Sequence, residues 1–365
     1  MQVSINNLTL SYGTFTAVRD FQLEIEDGES IVLLGESGCG KTSTMRCVAG
    51  LEVPDTGRIR IGDRDVFNSE KNANIPPNKR NVGMVFQSYA VWPHLTVLEN
   101  VSFPLRMRGV DRVTIKRKAL ETLEIVGLAH LADKGASLLS GGQMQRVALA
   151  RSLAMEPNVM LLDEPLSNLD ARLRDDLRLE LRRLQLELGL TSIYVTHDQS
   201  EALALADRIA IMQNGRIAQL ATPVETYRSP ASASIARFLG VSNVFPVKRP
   251  KGGAHLAELT EFPMAIKVAT ALRAMDDQSV CLRPESLTIA AREDANAHNQ
   301  WAGTMQIVAF QGSYLRCTVR LDNGPIVEVL SREESVESLH HGDRVWLSAP
   351  PEDIQVLSND VRIQE

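Results

Sequence analysis

The stretch Gly35-Glu36-Ser37-Gly38-Cys39-Gly40-Lys41-Thr42 narrows the choice of fold more than any other in this chain. It fits the pattern G-x-x-x-x-G-K-[ST]. The apolar run Ile31-Val32-Leu33-Leu34 precedes it and reads as a buried strand, while Thr42 to Gly50 reads as a helix. Glycines between such a strand and helix let successive N–H groups turn toward one anion, and the helix N-terminus adds positive dipole. Lys41 then reaches β- and γ-phosphates, and the Thr42 hydroxyl is placed for Mg²⁺. The nucleotide contacts expected from this segment are Gly35, Ser37, Gly38, Cys39, Gly40, Lys41, Thr42 and Ser43. The plain alternative is a glycine-rich turn that matches the pattern by accident.

Val159-Met160-Leu161-Leu162-Asp163-Glu164 reads as a second buried strand, ending in two acids. Carboxylates at the C-terminal ends of strands face the crevice where α/β sheets bind ligands. Asp163 is the expected Mg²⁺ ligand, directly or through water, and Glu164 the group that polarises an attacking water. Read alone, the same residues fit an ordinary strand exit with solvated acids.

Between these two segments lies Leu139-Ser140-Gly141-Gly142-Gln143, which continues as Met144-Gln145-Arg146-Val147-Ala148-Leu149-Ala150-Arg151. With it the chain resembles an ATP-binding cassette (ABC) ATPase. More narrowly, it resembles the importer ATPases with a C-terminal regulatory extension that serve sugars, polyamines and ferric iron. The resemblance runs along essentially the whole chain and is strongest over residues 1–240. It implies roles for further positions. Tyr12 matches an aromatic that stacks on adenine, although an N-terminal tyrosine is as often simply packed. Gln87, in Val85-Phe86-Gln87-Ser88, matches a glutamine that contacts Mg²⁺ and the attacking water. Asp170 closes Ser167-Asn168-Leu169-Asp170, the D-loop. His197, in Tyr194-Val195-Thr196-His197-Asp198, matches a switch histidine that hydrogen-bonds the γ-phosphate as a neutral imidazole.

The signature at 139–143 holds no acid, base or nucleophile. It offers Ser140, Gly141, Gly142 and Gln143 at an expected helix start, which are anion-binding groups. The resemblance implies that one subunit's signature closes over ATP held by another. The expected assembly is a homodimer with two composite sites, both competent for hydrolysis. It further implies integral-membrane permease subunits as partners and, indirectly, a solute-binding protein. The implied location is peripheral, on the cytoplasmic face of the inner cell membrane.

The expected fold is a P-loop α/β domain over residues 1–240, with a RecA-like core, an antiparallel β subdomain and a helical subdomain at about 90–155. A small all-β, OB-like (TOBE-like) barrel is expected over 241–365. Residues 1–34 and 56–67 alternate as antiparallel strands, and 156–225 alternate strand with helix. Beyond Gly240-Val241-Ser242-Asn243 come five short alternating runs: Ser279–Leu282, Thr304–Phe310, Leu315–Leu321, Pro325–Leu330 and Arg344–Ser348. The segment Gln87–Asn100 carries aromatics of an exposed type, read as a groove for a permease helix, with packing between subdomains as the alternative.

Lys and Arg total 39 against 45 Asp and Glu, a net charge of −6 that argues against a nucleic-acid partner held by general electrostatics. No apolar run reaches the ~18 residues of a membrane span. The four cysteines, Cys39, Cys47, Cys281 and Cys317, have neither metal-ligand nor disulfide spacing. Cys39 sits by a helix N-terminus and Lys41, which predicts a lowered thiol pKa and block of ATP binding by alkylation. His340-His341 reads as an exposed loop pair rather than a metal site. Competing functions fare worse. A DNA-repair cassette needs a long coiled coil between Thr42 and Leu139, a ribosomal one needs two cassettes, and a GTPase needs an Asn-Lys-x-Asp element. An exporter usually carries fused membrane spans. The cargo is the least constrained point; ferric iron or polyamine fits the phrases at 89–94 and 240–243 better than sugar.

Overall fold

The computed structural model describes residues 1–250, 253–273, 277–332 and 339–360. The chain divides into two compact units, Met1–Thr226 and Tyr227–Glu365.

Two sheets organise the first unit. The strand Ser30–Leu34 is buried at every position, as its unbroken apolar run requires. It lies between the parallel strands Arg208–Gln213 and Ser192–Thr196. Val159–Asp163 follows beside Ser192–Thr196, and Val82–Val85 beside that, both parallel. Arg216–Ala221 closes the opposite edge antiparallel, giving six strands. The second sheet has five strands and is antiparallel, built from Val3–Tyr12, Phe15–Ile25, Thr56–Ile61, Arg64–Asn68 and Ala73–Asn74. Ile5, Phe21, Ile31, Leu33, Met45, Leu161 and Ile193 belong to one apolar cluster shared by both sheets. Each fully buried residue of this size contributes about 1.5–3 kcal/mol.

Three helices, Val97–Met107, Arg112–Ile125 and Gly141–Leu153, make the helical subdomain. Each starts on a side-chain cap: Thr96 with Glu99, Asp111, and Ser140 with Gln143. Asn100, fully buried on the first of them, receives the Trp92 N–H at 2.9 Å and donates to the Trp92 and Thr96 carbonyls at 3.1 and 3.0 Å.

The second unit is all-β apart from the helix Ala233–Phe238 and short helical turns. It forms two curled five-stranded sheets around a shared apolar cluster that includes Leu259, Val280, Met305, Val319 and Leu347. The five runs expected from sequence are all strands. Five more were not legible: Val244–Lys248, Leu256–Leu259, Ala265–Lys267, Thr288–Ala290 and Ile354–Ser358. They span three to five residues each, and the first contains Pro246. Too few alternations remain to mark a period of two.

Candidate functional site

The loop after Ser30–Leu34 enters the helix Lys41–Ala49 through Gly40, whose φ is +103°. A β-carbon there would stand 2.4 Å from the Ala17 carbonyl oxygen, so only glycine lets the loop lie this close to the antiparallel sheet. No side chain caps this helix. Its first N–H groups therefore stay available to an anion. The Lys41 ammonium, 5% exposed, donates to the Gly35 and Glu36 carbonyls at 2.7 and 2.8 Å. It occupies the middle of its own loop.

Parallel pairing sets the acids. Asp163 ends its strand beside the phosphate-loop helix, and its carboxylate accepts the Thr42 hydroxyl at 3.2 Å. Burial raises the Asp163 carboxyl above its usual range, against the lowering effect of Thr42 and Arg46. Glu164, one residue on, has φ +43°, an uncommon setting for a residue with a β-carbon. Its two oxygens meet different groups: His197 Nδ1 lies 3.2 Å from one, and Gln87 Nε2 donates to the other at 3.4 Å. Three loops, after three neighbouring parallel strands, thus converge on one carboxylate.

Above the loop lies a cleft of about 490 Å³ lined by Tyr12, Phe15, Ser37, Gly38, Gly40, Lys41, Thr42, Ser43, Glu164 and His197. Tyr12 and Phe15 pair across the turn between the first two strands and are 46% and 58% exposed. Such rings present a flat apolar wall. The signature residues Ser140, Gly141, Gly142 and Gln143 do not line this cleft. Ser140 instead caps its helix, its hydroxyl accepting the Gln143 N–H at 3.4 Å while its own N–H donates to Gln143 Oε1 at 3.1 Å. Asp170 likewise caps Ala171–Leu188, accepting the Leu173 N–H at 3.0 Å.

The ABC transporter family matches residues 18–167, and a TOBE domain matches residues 280–357. A ferric-ion import ATP-binding protein of Rhizobium etli is 46% identical over 326 residues, 89% of this chain and 89% of that protein. The chain belongs to the ABC transporter family. A spermidine/putrescine import ATP-binding protein of Thermobifida fusca is 44% identical over 349 residues, 94% of this chain and 89% of the relative. Among solved structures, a dimeric ATP-binding cassette bound to ADP and phosphate aligns with TM-score 0.53 and 30% identity, over 60% of this chain and 98% of that one. The cassette cbiO1 of Clostridium perfringens aligns with TM-score 0.56 and 30% identity, over 62% and 90%.

As an ABC ATPase the chain binds and hydrolyses ATP. Two sequence expectations for its site need correction. Cys39 does not have a lowered thiol pKa. It is 8% exposed, and burial pushes the thiol up despite Lys41 Nζ at 3.7 Å. The aromatics of 87–100 are not of an exposed type either. Tyr89 is buried, and Trp92 packs against Phe103 with ring centroids 4.4 Å apart and planes inclined by 47°. Phe15, and the contacts made by the D-loop residues Ser167 and Asn168, were not read from the sequence of this ABC protein. Phe15 could have been found as the partner of Tyr12 across Gly13-Thr14. Asn168 Nδ2 donates to the Gln87 carbonyl at 2.9 Å, and Ser167 Oγ to the Glu164 carbonyl at 2.9 Å. No sequence pattern announces contacts of that kind.

Proposed function

We propose that this ABC ATPase powers the import of ferric iron or a polyamine through separate membrane permease subunits, ferric iron being the first choice. The observation that carries the hydrolytic part is the convergence of Gln87 and His197 on Glu164, which with His197 lines the cleft at the phosphate loop. The Glu164 carboxylate accepts a proton from the attacking water, Gln87 orients that water, and the His197 imidazole hydrogen-bonds the γ-phosphate. Lys41 and the N–H groups of 38–43 bind the phosphates, and Tyr12 with Phe15 carries the base. The donor set beside them, a hydroxyl (Thr42), a carboxylate (Asp163) and an amide oxygen (Gln87), is hard oxygen of the type Mg²⁺ prefers. These residues would hold the ion, which supplies charge neutralisation on the phosphates.

The signature lies off the cleft on its own helix start, which supports a second copy of the chain as the molecule it binds across. Two ATP molecules then join two chains, and hydrolysis releases them. Among the described residues no helix is long and apolar enough to cross a membrane. The relatives named for ferric-ion and for spermidine/putrescine import support the cargo classes, and a peripheral place on the cytoplasmic face of the cell membrane follows from the partnership. A solute-binding protein completes the system, and nucleic acid has no part in it.

The test is uptake in a strain lacking this chain. Wild-type protein restores accumulation of labelled ferric iron or spermidine, Glu164→Gln restores neither, and the chain co-purifies with integral-membrane subunits. Restoration of sugar uptake alone rejects the cargo, and solubility apart from any membrane protein rejects the importer.

A further inference from the structure

Immediately after Gln87 the backbone does something costly. Tyr89 and Ala90 are consecutive non-glycine residues with φ +61° and +49°, in the region that a β-carbon disfavours. Such a pair persists only where surrounding contacts impose it. The Tyr89 N–H bonds back to Phe86 O at 2.9 Å and the Ala90 N–H to Ser88 O at 2.7 Å, closing a tight double turn. One side chain collects both carbonyls of the pair. Arg151, near the far end of the signature helix, donates Nη1 to Ala90 O at 2.6 Å and Nη2 to Tyr89 O at 3.1 Å. Its guanidinium lies 4.7 Å from the centre of the Trp92 ring, which is itself packed against Phe103. The acceptors are neutral carbonyls, so this is geometric recognition rather than charge pairing.

The opposite end of the signature helix touches the same turn. The Tyr89 hydroxyl is buried with no hydrogen-bond partner among the described residues, and it lies 3.9 Å from where a β-carbon on Gly141 would stand. The turn between Gln87 and the helical subdomain therefore lies against both ends of one helix and is bonded to it through Arg151. Upstream of the turn, Gln87 has its carbonyl held by Asn168 and its amide on Glu164.

We propose that Arg151 is a positioning residue, whose fork holds the left-handed Tyr89–Ala90 pair and through it sets Gln87 against Glu164. The inference rests on the reading that Gln87 and Glu164 act on the attacking water. A planar fork can satisfy two successive carbonyls and stack on an indole together; a lysine ammonium cannot do both. Without the fork the pair relaxes toward ordinary backbone angles and Gln87 leaves its register. The phosphate loop, on another strand, is untouched.

The test measures kcat, KM and monomer ATP affinity for wild type, Arg151→Ala, Arg151→Lys and the double variant Arg151→Ala with Ala90→Gly. Misplacing a group by about 1 Å can cost about a hundredfold. Arg151→Ala should therefore lose about tenfold to a hundredfold in kcat, with ATP affinity within about twofold of wild type. Arg151→Lys should fall nearly as far. Glycine adopts positive φ without a β-carbon penalty, so Ala90→Gly should recover most of the lost rate. If Arg151→Ala does not fold, Arg151→Lys with and without Ala90→Gly carries the same comparison. Wild-type kcat in Arg151→Ala, or a loss that Ala90→Gly does not repair, overturns the proposal. A wild-type chain that does not hydrolyse ATP would instead reject the functional reading beneath it.

Discussion

Arg80 is 3% exposed and has no carboxylate partner among the described residues; it is spent on holding the phosphate-loop helix from behind. Its Nη1 donates to the Cys47 and Val48 carbonyls at 2.7 and 3.0 Å, two of the last acceptors of Lys41–Ala49. Nε donates to Ile75 O at 2.6 Å, and Nη2 to Asn74 Oδ1 at 2.9 Å, tying the helix to the antiparallel sheet. Gly50 makes room, since a β-carbon there would lie 2.5 Å from Arg80 Nε. Burial lowers the guanidinium to about 10, so it remains charged at neutral pH. Arg80→Met removes four charge-assisted bonds, each worth about 1.5–3 kcal/mol, and strands their acceptors. Relief of the buried charge's desolvation cancels several kcal/mol of that sum. Four stranded acceptors at about 1–3 kcal/mol each, less that relief, leave a net loss of about 3–5 kcal/mol. For a unit the size of Met1–Thr226, about 2–4 °C of Tm goes with each kcal/mol, so calorimetry should find a drop of about 6–20 °C. Arg80→Lys should lose most of it too, because one ammonium cannot satisfy four acceptors spread over two segments. A drop under about 2 °C in Arg80→Met would refute the reasoning.

Two further outcomes concern titratable groups near the site. Glu201, 2% exposed, accepts the Tyr194 and Thr196 hydroxyls at 2.9 and 2.7 Å, and burial holds its carboxyl above the usual range. A raised carboxyl contributes stability below its unfolded value and loses it as pH rises through the folded value. Glu201→Gln should therefore match wild type near pH 4.5 and gain in Tm toward pH 8; a loss at pH 8 contradicts this. Cys39, with its thiol pushed up by burial, should react with iodoacetamide at pH 8 at least tenfold more slowly than glutathione. Peptide mapping that finds it reacting as fast as glutathione would restore the activated thiol.

The parts of the site carried by local pattern were legible in the sequence. A strand, glycines, lysine and threonine in series identify the phosphate loop because each residue acts where it stands. Strand ends bearing Asp163 and His197 were placed by the parallel alternation around them. Contacts across long sequence separations were not legible. Arg80 meets Cys47, Arg151 meets Ala90, and Asn168 meets Gln87, and no periodicity encodes such pairs. Cys39 was misjudged because sequence shows a neighbouring lysine but not the burial that outweighs it. Short strands such as Ala265–Lys267 escaped for want of length, their pairing being decided by neighbours in the sheet.

The central claim is that Ser140–Gln143 completes a nucleotide site on another copy of the chain. Glu164→Gln removes the carboxylate charge and the proton acceptor while keeping the side chain's shape, so ATP should bind and persist. Light scattering during size exclusion, with ATP and Mg²⁺, measures the consequence directly. Glu164→Gln should elute at twice the mass of one chain with two ATP bound, and Glu164→Gln combined with Ser140→Arg should elute as a monomer with one. A Glu164→Gln chain that stays monomeric while saturated with ATP would contradict the claim.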